Sequence, residues 1–306
     1  MQKKHVFRVT RQLDHTCFNY SLAQNPLESS MNNRLLDPEW QPWWKQLLKI
    51  ILGWNLAVII KGVRLGPSSA WSTSVASFDA AAIGDLWGKD FTKAKKSLAQ
   101  IPEVPLIDLI GNRRAFVRLD IQRHQDGMLP QEHAIALLAL ADLENPSVVL
   151  EIGTFCGHTT RLLAQTLPMA TIHTVDLPLD YVVGSDSKDS LRKDDFHLIT
   201  QRAVGKEFND QPEAGRIRQH LVDTAQTDFA FAKGASFFFI DGSHTYDYVK
   251  SDSEKCFDLC QGKGVFVWHD CDLNHAGVAS FLSEWKSNGR EIVRIKGTSI
   301  AYYKAS

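Results

Sequence analysis

From about residue 105 onward the chain alternates two apolar rhythms. Short continuous runs rich in β-branched and aromatic residues recur: "SVVLEI" (147–152), "TIHTV" (171–175), "IRQHLV" (217–222), "SFFFI" (236–240) and "GVFVW" (264–268). Such runs predict strands buried on both faces of a sheet. Between them, "HAIALLALADL" (133–143) and "HTTRLLAQTL" (158–167) predict helices. So do the stretch with Val249, Cys256, Phe257 and Cys260 on one side and "GVASFLSEWK" (277–286). Strands that alternate with helices imply a parallel sheet with both faces covered. The rhythm changes at the end, where "EIVRI", "KGT" and "SIAYYK" predict two strands joined by a tight turn. The expected fold is therefore α/β: a doubly wound, mostly parallel, seven-stranded sheet closed by an antiparallel C-terminal hairpin.

The first hundred residues are different. They are rich in Trp, Ser and Ala, and "FDAAAIGDLW" and "FTKAKKSLAQ" predict helices, while "IPEVPLIDLI" with its two prolines predicts a connection. A helical region 1–104, acting as a substrate lid or an oligomerisation element, and a sheet domain 105–306 are expected. Within the first region "LLKIILGWNLAVII" (47–60) is almost wholly apolar, but Lys49 and Asn55 interrupt it. It is also shorter than the roughly 18–20 residues of a spanning helix. A buried or dimer-forming helix is the first reading, which makes a homodimer the expected assembly. A membrane-surface helix with Trp40, Trp43 and Trp44 at the interface is the second.

Composition narrows the function classes. The 306 residues are 44% hydrophobic, enough for a core without staples, and the formal net charge of −1 is spread along the chain. No basic surface suggests nucleic acid, and an ordinary solvated surface is expected. Five cysteines without a CxxC pair, and a start lacking a signal-peptide core, fit reduced thiols and a cytoplasmic setting.

The candidate chemistry lies where the strands stop. "VVLEIGTFCGHTT" places Glu151 near the end of one strand, then Gly153 and Gly157 before a helix. Glycines there allow a sharp turn and a close approach to a ligand beyond the strand ends. The spacing is neither GxGxxG nor a Walker loop. The next two strands end in Asp176 and Asp223, so three successive strands carry acids at one rim. An acid in the position of Asp176 commonly takes ribose hydroxyls. Two further strands end in Asp241 and in the pair His269–Asp270, with His244 three residues past Asp241. Asp272 and His275 extend this cluster, with a plain loop role left open. Asp241 as a helix cap, and "DGSH" as an ordinary turn, is the structural alternative.

Taken together, "LEIGTFCGHTT", "HTVDLP", "FFFIDGSHTYDYVKSD", "GVFVWHD" and "GTSIAYYK" resemble a class I S-adenosylmethionine-dependent methyltransferase. More narrowly they resemble the bacterial "methyltransferase domain" group related to small-molecule O-methyltransferases. The resemblance spans roughly the last two hundred residues. It implies that Gly153, Thr154 and Gly157 border the methionine part of the cofactor, and that Glu151 orients that loop and the amino group. Asp176, with Leu177, would take the ribose hydroxyls; Asp223 and Thr224 would sit near the adenine; Asp241 would border the cofactor as well. In metal-dependent relatives the acids at the next strand ends hold magnesium, which points to Asp241, His269 and Asp270 as a divalent-cation set. His269 departs from the all-oxygen set that Mg²⁺ prefers. His269, His244 and Asp241 are the candidate catalytic residues, with a histidine as general base where no metal acts. The expected activity is O-methylation of a small-molecule hydroxyl or carboxyl group. N-methylation or another sulfonium chemistry is the alternative, and a non-catalytic binding module is a third reading. A nicotinamide oxidoreductase lacks its glycine motif here.

Overall fold

The computed structural model describes residues 5–9, 89–119, 127–178 and 203–305. The apolar stretch 47–60, the tryptophans before it, "FDAAAIGDLW", Cys17 and the segment 179–200 lie outside the described residues. The chain divides into two compact units, residues 1–11 with 93–306, and residues 12–92. The sheet and the acids at its strand ends belong to the first unit.

Its centre is an eight-stranded sheet. Five parallel strands form one part: β4 (Val148–Ile152), β5 (Thr171–Asp176), β6 (Ile217–Leu221), β7 (Phe237–Ile240) and β8 (Gly264–Trp268). β10 (Ala301–Ala305) runs antiparallel to both β8 and β9 (Val293–Ile295). The strand order is β2-β9-β10-β8-β7-β4-β5-β6, with β2 (Glu103–Val104) at one edge. The mostly parallel sheet with its antiparallel C-terminal hairpin is as expected; among the described residues the count is eight, not seven. The extra strand comes from "IPEVPLIDLI", where two residues pair in parallel with Arg294 and Ile295 before α2 (Leu106–Ile110) begins. A two-residue strand has no period to read, and Pro105 at the helix N-cap is all its sequence shows.

A separate ribbon pairs β1 (His5–Val9) antiparallel with β3 (Ala115–Leu119). β3 buries Ala115, Val117 and Leu119 and exposes the residues between them. That strict alternation is the mark of a strand with one wet face.

The strands bury both faces because their side chains alternate between two cores. Val149, Phe237, Phe239, Val265 and Val267 point into one, against α3 (Gln131–Glu144) and α4 (His158–Thr166). Leu150, Ile152, Phe238, Ile240, Phe266 and Trp268 point into the other. There they meet α1 (Lys89–Leu98), α5 (Tyr246–Leu259) and α6 (Ala276–Ser287). The three phenylalanines of β7 are thus shared by the two layers, and all are fully buried. Each such ring removes apolar surface worth about 2–3 kcal/mol from water. α3 buries seven of its residues because it lies between the sheet and β3. Among the described residues no helix is long and apolar enough to cross a membrane. The four described cysteines are free thiols, two of them buried.

This wrapping leaves the carboxyl ends of β4, β5, β6, β7 and β8 on one rim. The turn between β9 and β10 reaches the same rim, because Ala301 pairs with Trp268 and Cys271 N–H donates to Ser299 O (2.9 Å).

Candidate active site

The rim has two halves. On the β4–β6 half, Glu151 is fully buried beneath the surface. Its Oε2 accepts from the Thr160 and Thr174 hydroxyls, the latter at 2.7 Å. Thr174 spends its one proton there, so the 2.7 Å contact between Thr154 and Thr174 has Thr154 as donor. Burial, opposed by these hydrogen bonds, pushes the Glu151 pKa up to about 8. Its proton therefore sits on Oε1, which has no partner. Glu151 thus tethers the loop above it and the first turn of α4 from below.

Asp176 ends β5 and works at the surface. Its Oδ2 accepts from Phe155 N–H (2.8 Å) and its Oδ1 from Leu177 N–H (2.7 Å). This fixes the 153–157 loop over the strand end, with Phe155 held at φ +48°. Asp223 caps a short turn at 224–226, accepting from Ala225 N–H (2.9 Å) and from the Tyr248 hydroxyl (3.3 Å). Thr224, beside it, is buried. Gly157 is the N-cap of α4 at φ +85°.

Gly153 joins the halves. At φ +103° a Cβ would stand 2.0 Å from the carbonyl oxygen of Asp241. The glycine is needed for the approach of another backbone, that of the β7 end, as well as for the turn. Asp241 N–H in turn donates to Ile152 O (2.8 Å).

On the β7–β8 half the side chains hold one another. His269 Nδ1 lies 3.0 Å from Asp241 Oδ1 and 3.1 Å from Asp270 Oδ2. Asp270 Oδ2 also receives His244 Nε2 at 2.7 Å. His275 Nδ1 stands 3.6 Å from Asp270 Oδ1 and 2.9 Å from Asp272 Oδ1. Asp241 does not cap α5, whose N-cap is Thr245 without a side-chain bond. Burial would lower the His269 pKa, but Asp241 and Asp270 outweigh it and hold it well above the usual value. For Asp270 burial works upward, and its bonds to His244 and His269 carry it well below the carboxylate range.

His133, at the start of α3, completes the cluster and was absent from the sequence-derived set. Its Nδ1 lies 2.9 Å from His269 Nε2. Burial first, and the charge of His269 second, push its pKa down, so His133 is the neutral partner. Two proton arrangements are open to the His133–His269 pair. In the neutral one Ser299 N–H donates to His133 Nε2 (3.4 Å), His133 Nδ1–H to His269 Nε2, and His269 Nδ1–H to Asp241. With one more proton on His269 Nε2, the His133–His269 bond reverses and His133 carries its hydrogen on Nε2, which forfeits the bond from Ser299 N–H. Both rings border a cavity of about 460 Å³ whose other walls include Asp270, Asp272, Thr298 and Ser299. Nothing local in "PQEHAIALL" marks His133; only the packing of α3 against the sheet brings it to the rim.

Residues 150–271 match the family model described as a methyltransferase domain, from the interior of β4 to just past β8. The structure is similar to the O-methyltransferase NovP (14% identity, TM-score 0.43, covering 57% of this chain and 78% of that one). It is similar to the O-methyltransferase TomG from Streptomyces achromogenes (15% identity, TM-score 0.40, 72% and 91% covered). It is also similar to an O-methyltransferase from Bacillus cereus (14% identity, TM-score 0.40, 60% and 84% covered). A search of the curated proteins found no match. The matched segment carries four of the five motifs singled out above, with "GTSIAYYK" lying beyond it, and the match identifies that segment as a methyltransferase domain.

Proposed function

We propose that the protein transfers a methyl group from S-adenosylmethionine to an oxygen of a small molecule, and that His269 takes the proton of that oxygen. The observation that carries this reading is the position of His269. Its Nδ1 is fixed between two carboxylates, its Nε2 is bonded to His133, and both rings border the cavity. A hydroxyl is a weak nucleophile until its proton has a destination. Asp241 and Asp270 orient the ring and stabilise the imidazolium formed when Nε2 accepts that proton. The same carboxylates set the working range: His269 is a base only above its raised pKa, so turnover rises with pH on a limb above 6.5.

The donor half fits the cofactor. Gly153 and Gly157 shape the turn at positive φ, their Cβ positions being taken by the Asp241 carbonyl and the Phe208 ring, and the Asp176 carboxylate, held by two backbone N–H groups, would take paired hydroxyls. Gly153, Thr154, Gly157, Asp176, Leu177, Asp223 and Thr224 would hold it, with Asp241 at the boundary between the halves. When bound, the cofactor supplies an electrophilic methyl on a sulfonium centre. Glu151 supports the site from beneath.

A second reading has a divalent cation activate the acceptor at Asp241, His269 and Asp270, whose donor atoms converge within 4.8 Å. One imidazole in the set makes it a poorer match for Mg²⁺ than for a softer ion. The test uses small-molecule acceptors bearing hydroxyl, carboxyl or amine groups, with and without chelator. His269→Ala should lower kcat by about 10²–10⁴-fold while cofactor affinity, measured calorimetrically, stays nearly constant. An unchanged kcat would remove His269 from the mechanism, and a chelator-sensitive wild type would favour the cation reading.

A further inference from the structure

We propose that His244, Asp270 and His275 form a binding site for a divalent first-row transition-metal ion of the zinc type, which shares Asp270 with the Asp241–His269–Asp270 set but uses neither Asp241 nor His269. The three donors converge on one point from two loops. His244 Nε2 and Asp270 Oδ2 are 2.7 Å apart, and His275 Nδ1 and Asp270 Oδ1 are 3.6 Å apart. All three groups offer ligand atoms within 4.8 Å of one another. Metal–ligand bonds of about 2.0–2.2 Å in tetrahedral array require donor–donor edges of about 3.4 Å, between these two distances. The two imidazoles face each other at 4.5 Å between centroids, tilted by 36°. Their side chains are 17% and 21% exposed, so an ion has an entry path without being left in bulk solvent.

The scaffold is fixed from both sides. Gly277, in the first turn of α6, brings that turn against the β7–α5 loop: a Cβ there would stand 2.2 Å from His244 O and 2.6 Å from Tyr246 N. Asp272 Oδ1 accepts from the backbone N–H groups of Asn274 (2.8 Å) and His275 (3.2 Å), which shapes the loop that carries His275. His275 Nδ1 also donates to Asp272. The ion takes the place of that proton, and Asp272 becomes available as a fourth ligand.

The donor set decides the class of ion. Two imidazole nitrogens and carboxylate oxygens suit Zn²⁺, Co²⁺ or Ni²⁺, whereas Mg²⁺ and Ca²⁺ demand oxygen. The ion would clip the β7–α5 loop to the β8–α6 loop at the entrance of both helices.

The experiment is titration of chelator-stripped, full-length protein with Co²⁺, followed by its visible absorption and by calorimetry, with Zn²⁺ and Mg²⁺ as competitors. One Co²⁺ should bind per chain, be displaced by Zn²⁺ and ignore millimolar Mg²⁺. His275→Ala and His244→Ala should each weaken binding by tenfold or more, and Asp241→Asn should leave it within about twofold. Circular dichroism of each variant keeps misfolding separate from ligand loss. Absence of stoichiometric binding overturns the proposal. So does binding that survives His275→Ala and is lost in Asp241→Asn, which would move the ion to the other set. Neither result depends on whether His269 acts as a base.

Discussion

The two halves of the rim satisfy their carboxylates by different means. On the β4–β6 half each acid is held singly by backbone N–H groups or hydroxyls: Glu151 by Thr160 and Thr174, Asp176 by Phe155 and Leu177, Asp223 by Ala225. On the β7–β8 half Asp241 and Asp270 are held by imidazoles, and one carboxylate serves three histidines. Backbone donors have fixed charge and direction, so the first half is rigid and pH matters to it only through burial. Imidazoles change charge near neutrality, so the second half can exchange protons or cations. In the proposed function the first half would seat the donor and the second the acceptor.

The largest effect should come where the halves touch. Gly153→Ala forces a Cβ to within 2.0 Å of the Asp241 carbonyl, at a φ of +103° that side chains rarely adopt. Backbone strain of this kind costs about 1–3 kcal/mol, and the overlap adds to it. The variant should lose about 3 kcal/mol or more, read as a lower melting temperature, and should impair cofactor binding and turnover together. A variant of wild-type stability would show that the two strand ends are not in register as described.

A second substitution separates the halves. The Glu151 pKa, about 8 in the folded chain against 4.5 when exposed, is raised by burial. The folded state therefore holds the proton more tightly. The associated stability is full below pH 4.5 and is lost as pH rises toward 8. At about 1.4 kcal/mol per unit of pKa this amounts to a few kcal/mol across that window. Glu151→Gln keeps a carbonyl acceptor for Thr160 and Thr174 and removes the titration. Its stability should fall less steeply between pH 5 and 8 in denaturant melts. A residual slope will remain, because burial also raises Asp252, to about 7. Slopes that coincide would mean that Glu151 is not buried as a protonated acid.

These differences also mark what the sequence could disclose. The strand ends were legible because each is a polar residue breaking a continuous apolar run, as in "FFFID" and "FVWHD". The parallel core followed from the alternation of strands and helices, and the antiparallel pair from "EIVRIKGTSIAYYK", whereas the strand order comes from the structure. The edge strand β2 was not legible, since two residues between prolines carry no periodicity. Five alternating residues in "AFVRL" do carry it, but their partner "HVFRV" lies over a hundred positions away. The reason for Gly153 was only half legible: a turn glycine was expected to face a ligand, and the structure adds the Asp241 carbonyl as the group that needs the space. His133 was invisible because it meets His269 across 136 positions through helix packing alone.

The smallest effect tests whether the β4–β6 half is the donor seat. Asp176 is exposed enough to meet a ligand, yet both its oxygens already accept backbone N–H bonds. In the proposed seat two ribose hydroxyls would share those oxygens with Phe155 and Leu177, since a carboxylate oxygen can accept more than one hydrogen bond. Removing an ionised acceptor of two hydroxyls costs about 1.5–3 kcal/mol, or roughly 10–100-fold in affinity. Asp176→Ala should therefore weaken S-adenosylmethionine binding by that factor while leaving kcat at saturating cofactor within a few-fold. Asp176→Asn supplies the control, because one amide oxygen can still accept from Phe155 N–H and keep the loop in place. If Asn and Ala weaken binding equally, the hydroxyl contacts carry the loss; if only Ala does, loop anchoring carries it. Full affinity in both would place the ribose elsewhere, and the division of the rim into a fixed donor half and a responsive acceptor half would lose its first member.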